Sequence, residues 1–253
     1  MAFILPLLLV AASAGPQPAI SAQRIKADVR QLSSDAFQGR GPGEEGERRT
    51  IAFLADAFAK AGLEPAGANG GWFQDVPLVR FDRLPGASMS LRFGGRTVPL
   101  MLGGNATLAL RNPGRTDVSN APLVFAGFGI VDPAHGWDAY KGVDMAGKIA
   151  VVLANDPDFE AGRDLGFEGR RMAYVGRVGV KFEAAARAGA LGVLVVHETA
   201  AASYPFLQVG SGDALPTFSF APLSPQTLKF SGWLSSDMSL ALLRSQGLTL
   251  DGL

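Results

Sequence analysis

Two apolar runs joined by an amphipathic segment limit the folds open to this chain more than any other feature. Ile149-Ala150-Val151-Val152-Leu153-Ala154 and Leu191-Gly192-Val193-Leu194-Val195-Val196 are continuous apolar stretches, the pattern of strands covered on both faces. Between them Phe182, Ala185, Ala186 and Gly189 recur at i, i+3, i+4 and i+7, while Glu183 and Arg187 are spaced to pair across one turn on the other side. This predicts an amphipathic helix ended at Gly189. Strand, helix and strand in that order predict a right-handed parallel crossover within a mixed sheet.

With 253 residues the chain has material for one or two domains. Lys plus Arg (23) balance Asp plus Glu (23), so no overall field attracts nucleic acid, and binding to it is not expected. The start, Met1 to Ala14, has an apolar centre and then the small-residue site Ala12-x-Ala14. It reads as a secretory signal, shorter than the ~20 apolar residues that cross a bilayer. A periplasmic or secreted protein with no membrane span after cleavage is therefore expected. There are no cysteines, which excludes disulfides, thiolate metal ligands and a cysteine nucleophile.

Further elements obey the same rules. Arg24 to Leu32 predicts a short helix. A longer one carries Glu44, Glu45 and Glu47 at its start, Ile51, Leu54, Ala55, Phe58 and Ala61 on one face, and Gly62 at its end. Val76–Val79, Met89–Phe93 and Ala106–Leu110 read as short strands, with Gly94-Gly95 as a hairpin turn. Thr217–Phe220 and Leu228–Leu234 read as strands. A helix from Met238 to about Gln246 comes next, capped by Ser235, Ser236 or Asp237.

Motifs with chemistry are incomplete. His197-Glu198-Thr199-Ala200-Ala201 begins like H-E-x-x-H, but Ala201 stands where the second imidazole is needed. The other histidine is His135; a small metallohydrolase built from His135, His197, Asp156 and Asp158 has no supporting spacing. Gly127-Phe128-Gly129-Ile130-Val131-Asp132 lacks the third glycine of a dinucleotide turn and is succeeded by Pro133 instead of a helix. Gly210-Ser211-Gly212 lacks the strand and helix that present a nucleophilic serine. The remaining candidate is the stretch Asp156 to Val180, longer than the ~12–15 residues usual for a connection without structure of its own. It carries Arg163, Arg170, Arg171, Tyr174 and Arg177. Arg170, Arg171, Tyr174 and Arg177 are candidates for a substrate-side loop, since guanidinium groups bind carboxylates in bidentate fashion. No catalytic or metal-binding residue is assigned.

Several segments resemble bacterial co-catalytic zinc aminopeptidases, of the leucyl aminopeptidase and glutamate carboxypeptidase-like metallopeptidases. Leu32-Ser33-Ser34-Asp35-Ala36-Phe37-Gln38-Gly39-Arg40, Gly41-Pro42-Gly43, Ala61-Gly62-Leu63-Glu64-Pro65-Ala66-Gly67 and Trp72-Phe73-Gln74-Asp75-Val76-Pro77-Leu78 are similar to their N-terminal segment. Val124-Phe125-Ala126-Gly127-Phe128-Gly129-Ile130, Trp137-Asp138-Ala139-Tyr140, Gly147-Lys148-Ile149 and Ala188-Gly189-Ala190 are similar to the protease-associated domain inserted in many of them. The resemblance implies an α/β fold: a protease-associated domain with a mixed sheet and flanking helices, plus a partial N-terminal lobe of an α/β metallopeptidase domain. It divides the chain into a signal and mature N-terminus (1–22), an N-terminal lobe (23–115), a protease-associated domain (116–234) and a C-terminal helix and truncated junction (235–253).

The function implied is that of an exported exopeptidase acting on peptide substrates through two zinc ions. Their ligands lie beyond the protease-associated domain, so neither ion is expected to bind this chain. The alternative is a non-enzymatic module for protein interaction or substrate capture. In the family the helix bearing Ile51, Leu54 and Phe58 lies against the catalytic sheet. Leaving the three exposed forfeits about 5–9 kcal/mol at ~1.5–3 kcal/mol per side chain, which predicts a loosely held N-terminal lobe.

Overall fold

The computed structural model describes residues 20–224 and 228–249; the expected signal, Met1 to Ala14, lies outside them. The chain forms two compact units, one up to Asp75 and one from Val76 onward.

The first unit contains helices α1 (Ala22–Leu32) and α2 (Glu45–Lys60). Ser21 caps α1 through its side chain, which accepts the Arg24 N–H at 3.3 Å. Glu45 and Glu47 lie in the first turn of α2 and Lys60 in its last, the arrangement favoured by the helix dipole. Gly46 lets α2 approach the turn Asp35–Arg40 closely: a Cβ there would stand 2.1 Å from the Phe37 carbonyl oxygen. Phe37 and Phe53 meet edge to face at 6.2 Å. Neither helix has a buried apolar stripe; Ile51, Leu54 and Phe58 are 38%, 36% and 46% exposed.

In the second unit the strands are β1 (Leu78–Phe81), β2 (Ser90–Phe93), β3 (Arg96–Pro99), β4 (Ala109–Leu110), β5 (Leu123–Phe125), β6 (Val131–Asp132), β7 (Trp137–Asp138), β8 (Ile149–Leu153), β9 (Gly192–Val196), β10 (Thr217–Phe220) and β11 (Phe230–Leu234). Helices α3 (Pro157–Ala161) and α4 (Val178–Arg187) lie between β8 and β9. Next come α5 (Thr199–Ala202) and α6 (Phe206–Gly210) before β10, and α7 (Ser236–Ser245) after β11. The main sheet has the order β4-β11-β9-β8-β5, with β5, β8, β9 and β11 parallel and β4 antiparallel at one edge. It is the mixed sheet that the apolar runs predict, and α4 is the crossover helix. Glu183 and Arg187 pair across one turn at 3.6 Å.

Alternation sorts the central strands between two layers. Ala150, Val152, Val193 and Val195 pack with Ala184 and Ala185 of α4. Ile149, Leu194 and Leu234 pack on the other face with Leu91, Leu100 and Leu242. Both faces are covered, which is why β8 and β9 read as unbroken apolar runs.

The division between units falls some forty residues before the boundary expected from the sequence. β1 pairs antiparallel with β10 and β4 with β11, so residues 76–115, expected to belong to the N-terminal lobe, are tied by strand pairing to the later unit. Backbone partners distant in sequence decide this, and no local pattern announces them. α7, expected to form a separate junction, packs Leu242 into the core of the same unit.

A loop templated by two buried carboxylates

The parallel strands carry their polar residues at their carboxyl ends, where open α/β sheets place ligand sites. After Leu153, Asn155 adopts φ 61, a left-handed conformation that asparagine tolerates better than most residues. Its side chain donates to the Ala201 carbonyl at 3.0 Å and accepts the Asp156 N–H at 3.0 Å. The strand end is thereby fixed, and Asp156 and Asp158 turn inward with no exposed surface.

The two aspartates organise the long connection from β8 to α4. Asp158 accepts three backbone N–H groups, from Leu165 at 2.6 Å, Phe167 at 2.9 Å and Gly169 at 2.8 Å. Burial works to raise its pKa, but these donors outweigh it and hold the carboxyl below its ordinary value. Asp156 Oδ2 accepts the Ala173 N–H at 2.8 Å, while Oδ1 has no partner. Burial raises the Asp156 pKa against the pull of its N–H donors. The segment Asp156–Val180, singled out by its length, is therefore ordered by carboxylates and includes α3, the turn Tyr174–Gly176 and the first turn of α4. Phe167 plugs it from beneath, buried with Ile130 and Ala173.

Lys181 completes the base. It is fully buried, and its ammonium donates to the carbonyls of Leu153, at 2.8 Å, and Asn155. The ammonium also lies 5.5 Å from the Phe128 ring centroid. Burial pushes its pKa down to about 7, against the opposing charge of Asp156. Sequence reasoning missed Lys181, Asp156 and Asp158 as a group. The available signal was a lysine on one helix face with Ala184 and Ala185, one turn further on.

The four candidate side chains named from the sequence all lie on the outside. Arg170 stacks over the Phe159 ring at 5.3 Å, and Arg171 pairs with Glu168 at 3.6 Å, both partners exposed. Tyr174 is 70% exposed, with the Arg177 guanidinium 5.8 Å from its ring centroid. The fold brings Tyr174 and Arg177 together and gives Arg170 and Arg171 separate partners. Arg163 is also exposed.

The histidines go elsewhere. His135 Nδ1 pairs with Asp132 Oδ2 at 2.7 Å. His197, at the end of β9, is fully buried among Tyr204, Phe206 and Trp233, with ring centroids 5.4–5.7 Å away, and neither ring nitrogen has a hydrogen-bond partner. Burial lowers its pKa, with backbone groups of Tyr204 and His197 acting the other way. Among the described residues no three His, Asp or Glu side chains converge to hold a metal ion. Asp158 is committed to backbone donors and His197 to an aromatic surround, so this donor set does not fit a two-zinc centre. Nor does the Gly127-Phe128-Gly129 turn serve a phosphate: a Cβ on Gly129 would meet Val152 Cγ1 at 2.6 Å, and the glycine is there for close packing against β8.

A groove of about 780 Å³ is lined by Leu91, Phe93 and Leu242 together with Arg92, Asn120 and Gln246 and shares no residue with the loop. Among the described residues no helix is long and apolar enough to cross a membrane.

No protein-family model and no curated protein matches the sequence. Among solved structures, an aminopeptidase from Aneurinibacillus sp. strain AM-1 is similar with a TM-score of 0.43 at 16% identity, over 90% of this chain and 41% of that one. BSAP, a zinc aminopeptidase from Bacillus subtilis, is similar with a TM-score of 0.26 at 20% identity, over 66% of this chain and 31% of that one. The chain thus spans less than half the length of either.

Proposed function

We propose that this chain is the N-terminal portion of an exported zinc-dependent aminopeptidase, in which the unit from Val76 onward acts as a protease-associated domain that shapes substrate access. The aminopeptidase-like and protease-associated motifs, in their order along the chain, support the family. The observation that carries the role is the loop: Asp156 and Asp158 fix its backbone from beneath while Arg170, Arg171, Tyr174 and Arg177 stand outside it. A frame held by buried charge-assisted hydrogen bonds presents cationic and aromatic groups with little loss of entropy on binding, the property wanted for engaging a peptide carboxylate. Peptide-bond hydrolysis in this reading belongs to two zinc ions held by polypeptide outside the described residues.

Assays of this chain, and of a version extended by its downstream reading frame, on aminoacyl chromogenic substrates test the proposal. Activity confined to the extended version is expected, with a raised KM for the Arg171→Ala, Tyr174→Ala double variant. Chelator-sensitive trimming by the present chain overturns it. A second reading, a binding module without hydrolytic function, is favoured by the loop's organisation entirely within one unit. It predicts that the extended version is inactive while peptide binding persists.

A further inference from the structure

The base of the loop holds more charge than its architecture needs. Lys181 extends from α4 to the end of β8, where Leu153 O, Asn155 O and the Phe128 ring surround its ammonium. Asp156 supplies the opposing charge. The same carboxylate receives the other end of the loop: Ala173 donates to Oδ2, and Gly176 packs so tightly that a Cβ on it would stand 2.9 Å from that oxygen. Residues 155–156 therefore lie between the lysine, which has no exposed surface and donates to Asn155 O, and residues 173–176, which close on Asp156. A hydrophobic residue would fill the space without the cost of burying an ammonium, and a strand end needs no lysine to satisfy two carbonyls.

We propose that Lys181 and Asp156 form a protonation-sensitive latch which sets how readily the loop 156–177 opens, and with it the presentation of Arg170, Arg171, Tyr174 and Arg177. This does not rest on the peptidase reading.

The direction comes from proton linkage. Opening at Asp156 and Ala173 lets water reach the ammonium, whose pKa then returns toward about 10.4, whereas the closed loop holds it at about 7. Between those values the open loop binds more protons, so the latch tightens as pH rises through this window and loosens as pH falls back toward 7. Asp156 acts oppositely in acid. Its pKa is raised in the closed loop, which there binds the extra proton and regains its hold. The latch is weakest where both groups are charged. The groups around Lys181 are Asp156 from the loop, the uncharged Phe128 ring from the turn after β5, and backbone carbonyls from the end of β8. Asp158 acts on Asp156. On α4 itself Glu183 is engaged by Arg187, and the Arg177 guanidinium lies over Tyr174.

Hydrogen exchange on the whole chain between pH 6 and 9, corrected for intrinsic rates, tests this at the Ala173 amide, with Val195 in the sheet as reference. Ala173 is expected to exchange through an opening easier than that of Val195. Its protection should rise with pH above 7, approaching tenfold per unit, the limit for one proton. Lys181→Met should abolish the rise. Asp156→Asn, which removes the charge that keeps the ammonium protonated, should shift the rise to lower pH, and it serves as the second arm if Lys181→Met does not fold. A flat wild-type profile, a rise that survives Lys181→Met, an unshifted rise in Asp156→Asn, or protection at Ala173 equal to that at Val195 throughout would each overturn the latch.

Discussion

Asp158 shows how one side chain can stand in for a secondary-structure element. Three backbone N–H groups separated by up to four residues converge on its two oxygens, a pairing that a helix or a ladder would otherwise provide. Asp158→Asn keeps the shape but replaces one acceptor oxygen with a donor amide. Exchange at Leu165, Phe167 and Gly169 is expected to speed up by about tenfold or more, since hydrogen bonds to a charged acceptor are the stronger kind. The carboxyl's pKa is depressed in the fold, so its contribution is complete above the unfolded carboxylate value of about 3.9 and is lost as pH falls through the lower, folded value. An acid titration monitored at the same three amides should show the loss in the wild type and not in Asp158→Asn. His197 is the contrasting case. Its two unpartnered nitrogens sit among aromatic rings at the end of β9, and its own carbonyl accepts the Ser236 hydroxyl at 2.6 Å.

At the scale of elements, the sheet depends on how closely its strands and connections approach. Gly232, in the middle of β11, lies against the Thr107 carbonyl so tightly that a Cβ would stand 2.1 Å from that oxygen. Thr107 also exchanges hydrogen bonds with Trp233: its N–H donates to the Trp233 carbonyl, and its hydroxyl accepts the Trp233 N–H. The obstacle is backbone, which cannot swing aside as a side chain can. Gly232→Ala is expected to destabilise the later unit by ~1–3 kcal/mol, the usual cost of overpacking, measured as a lower urea midpoint at unchanged slope. Leu191-Gly192-Val193 and Phe230-Ser231-Gly232 both look like weak points in a strand when read locally. Packing explains them: a Cβ on Gly192 would meet the Phe230 ring at 2.6 Å.

On the scale of the whole molecule the two units differ in how much apolar surface they bury. The later one has strands covered on both faces, with Val152, Val193, Val195 and Leu194 at no exposure. The earlier one leaves Ile51, Leu54 and Phe58 more than a third exposed, and α1 buries no residue. Amides of α2 at Leu54 and Phe58 are therefore expected to exchange through openings less costly than those of β8 and β9, and the earlier unit to melt first. Equal, global-level protection in both units would refute this.

What the sequence determined by itself is the set of elements whose residues carry their own periodicity: β8 and β9 as apolar runs, α2 and α4 as amphipathic faces, the Gly94-Gly95 hairpin, and a capped α7, for which the structure selects Ser235 from the three candidate caps, its side chain accepting the Met238 N–H at 3.4 Å. Local steric and burial rules suffice for these. The exposed arginines and Tyr174 were legible too, because a long polar segment between two strands has to surface somewhere. Tertiary structure alone decided where the units divide, since β1 finds its partner in β10, far along the chain. It alone decided the buried frame of Asp156, Asp158 and Lys181, because a charged residue is read as exposed until its partners are known, and here those partners are mostly backbone groups with no signature in the sequence.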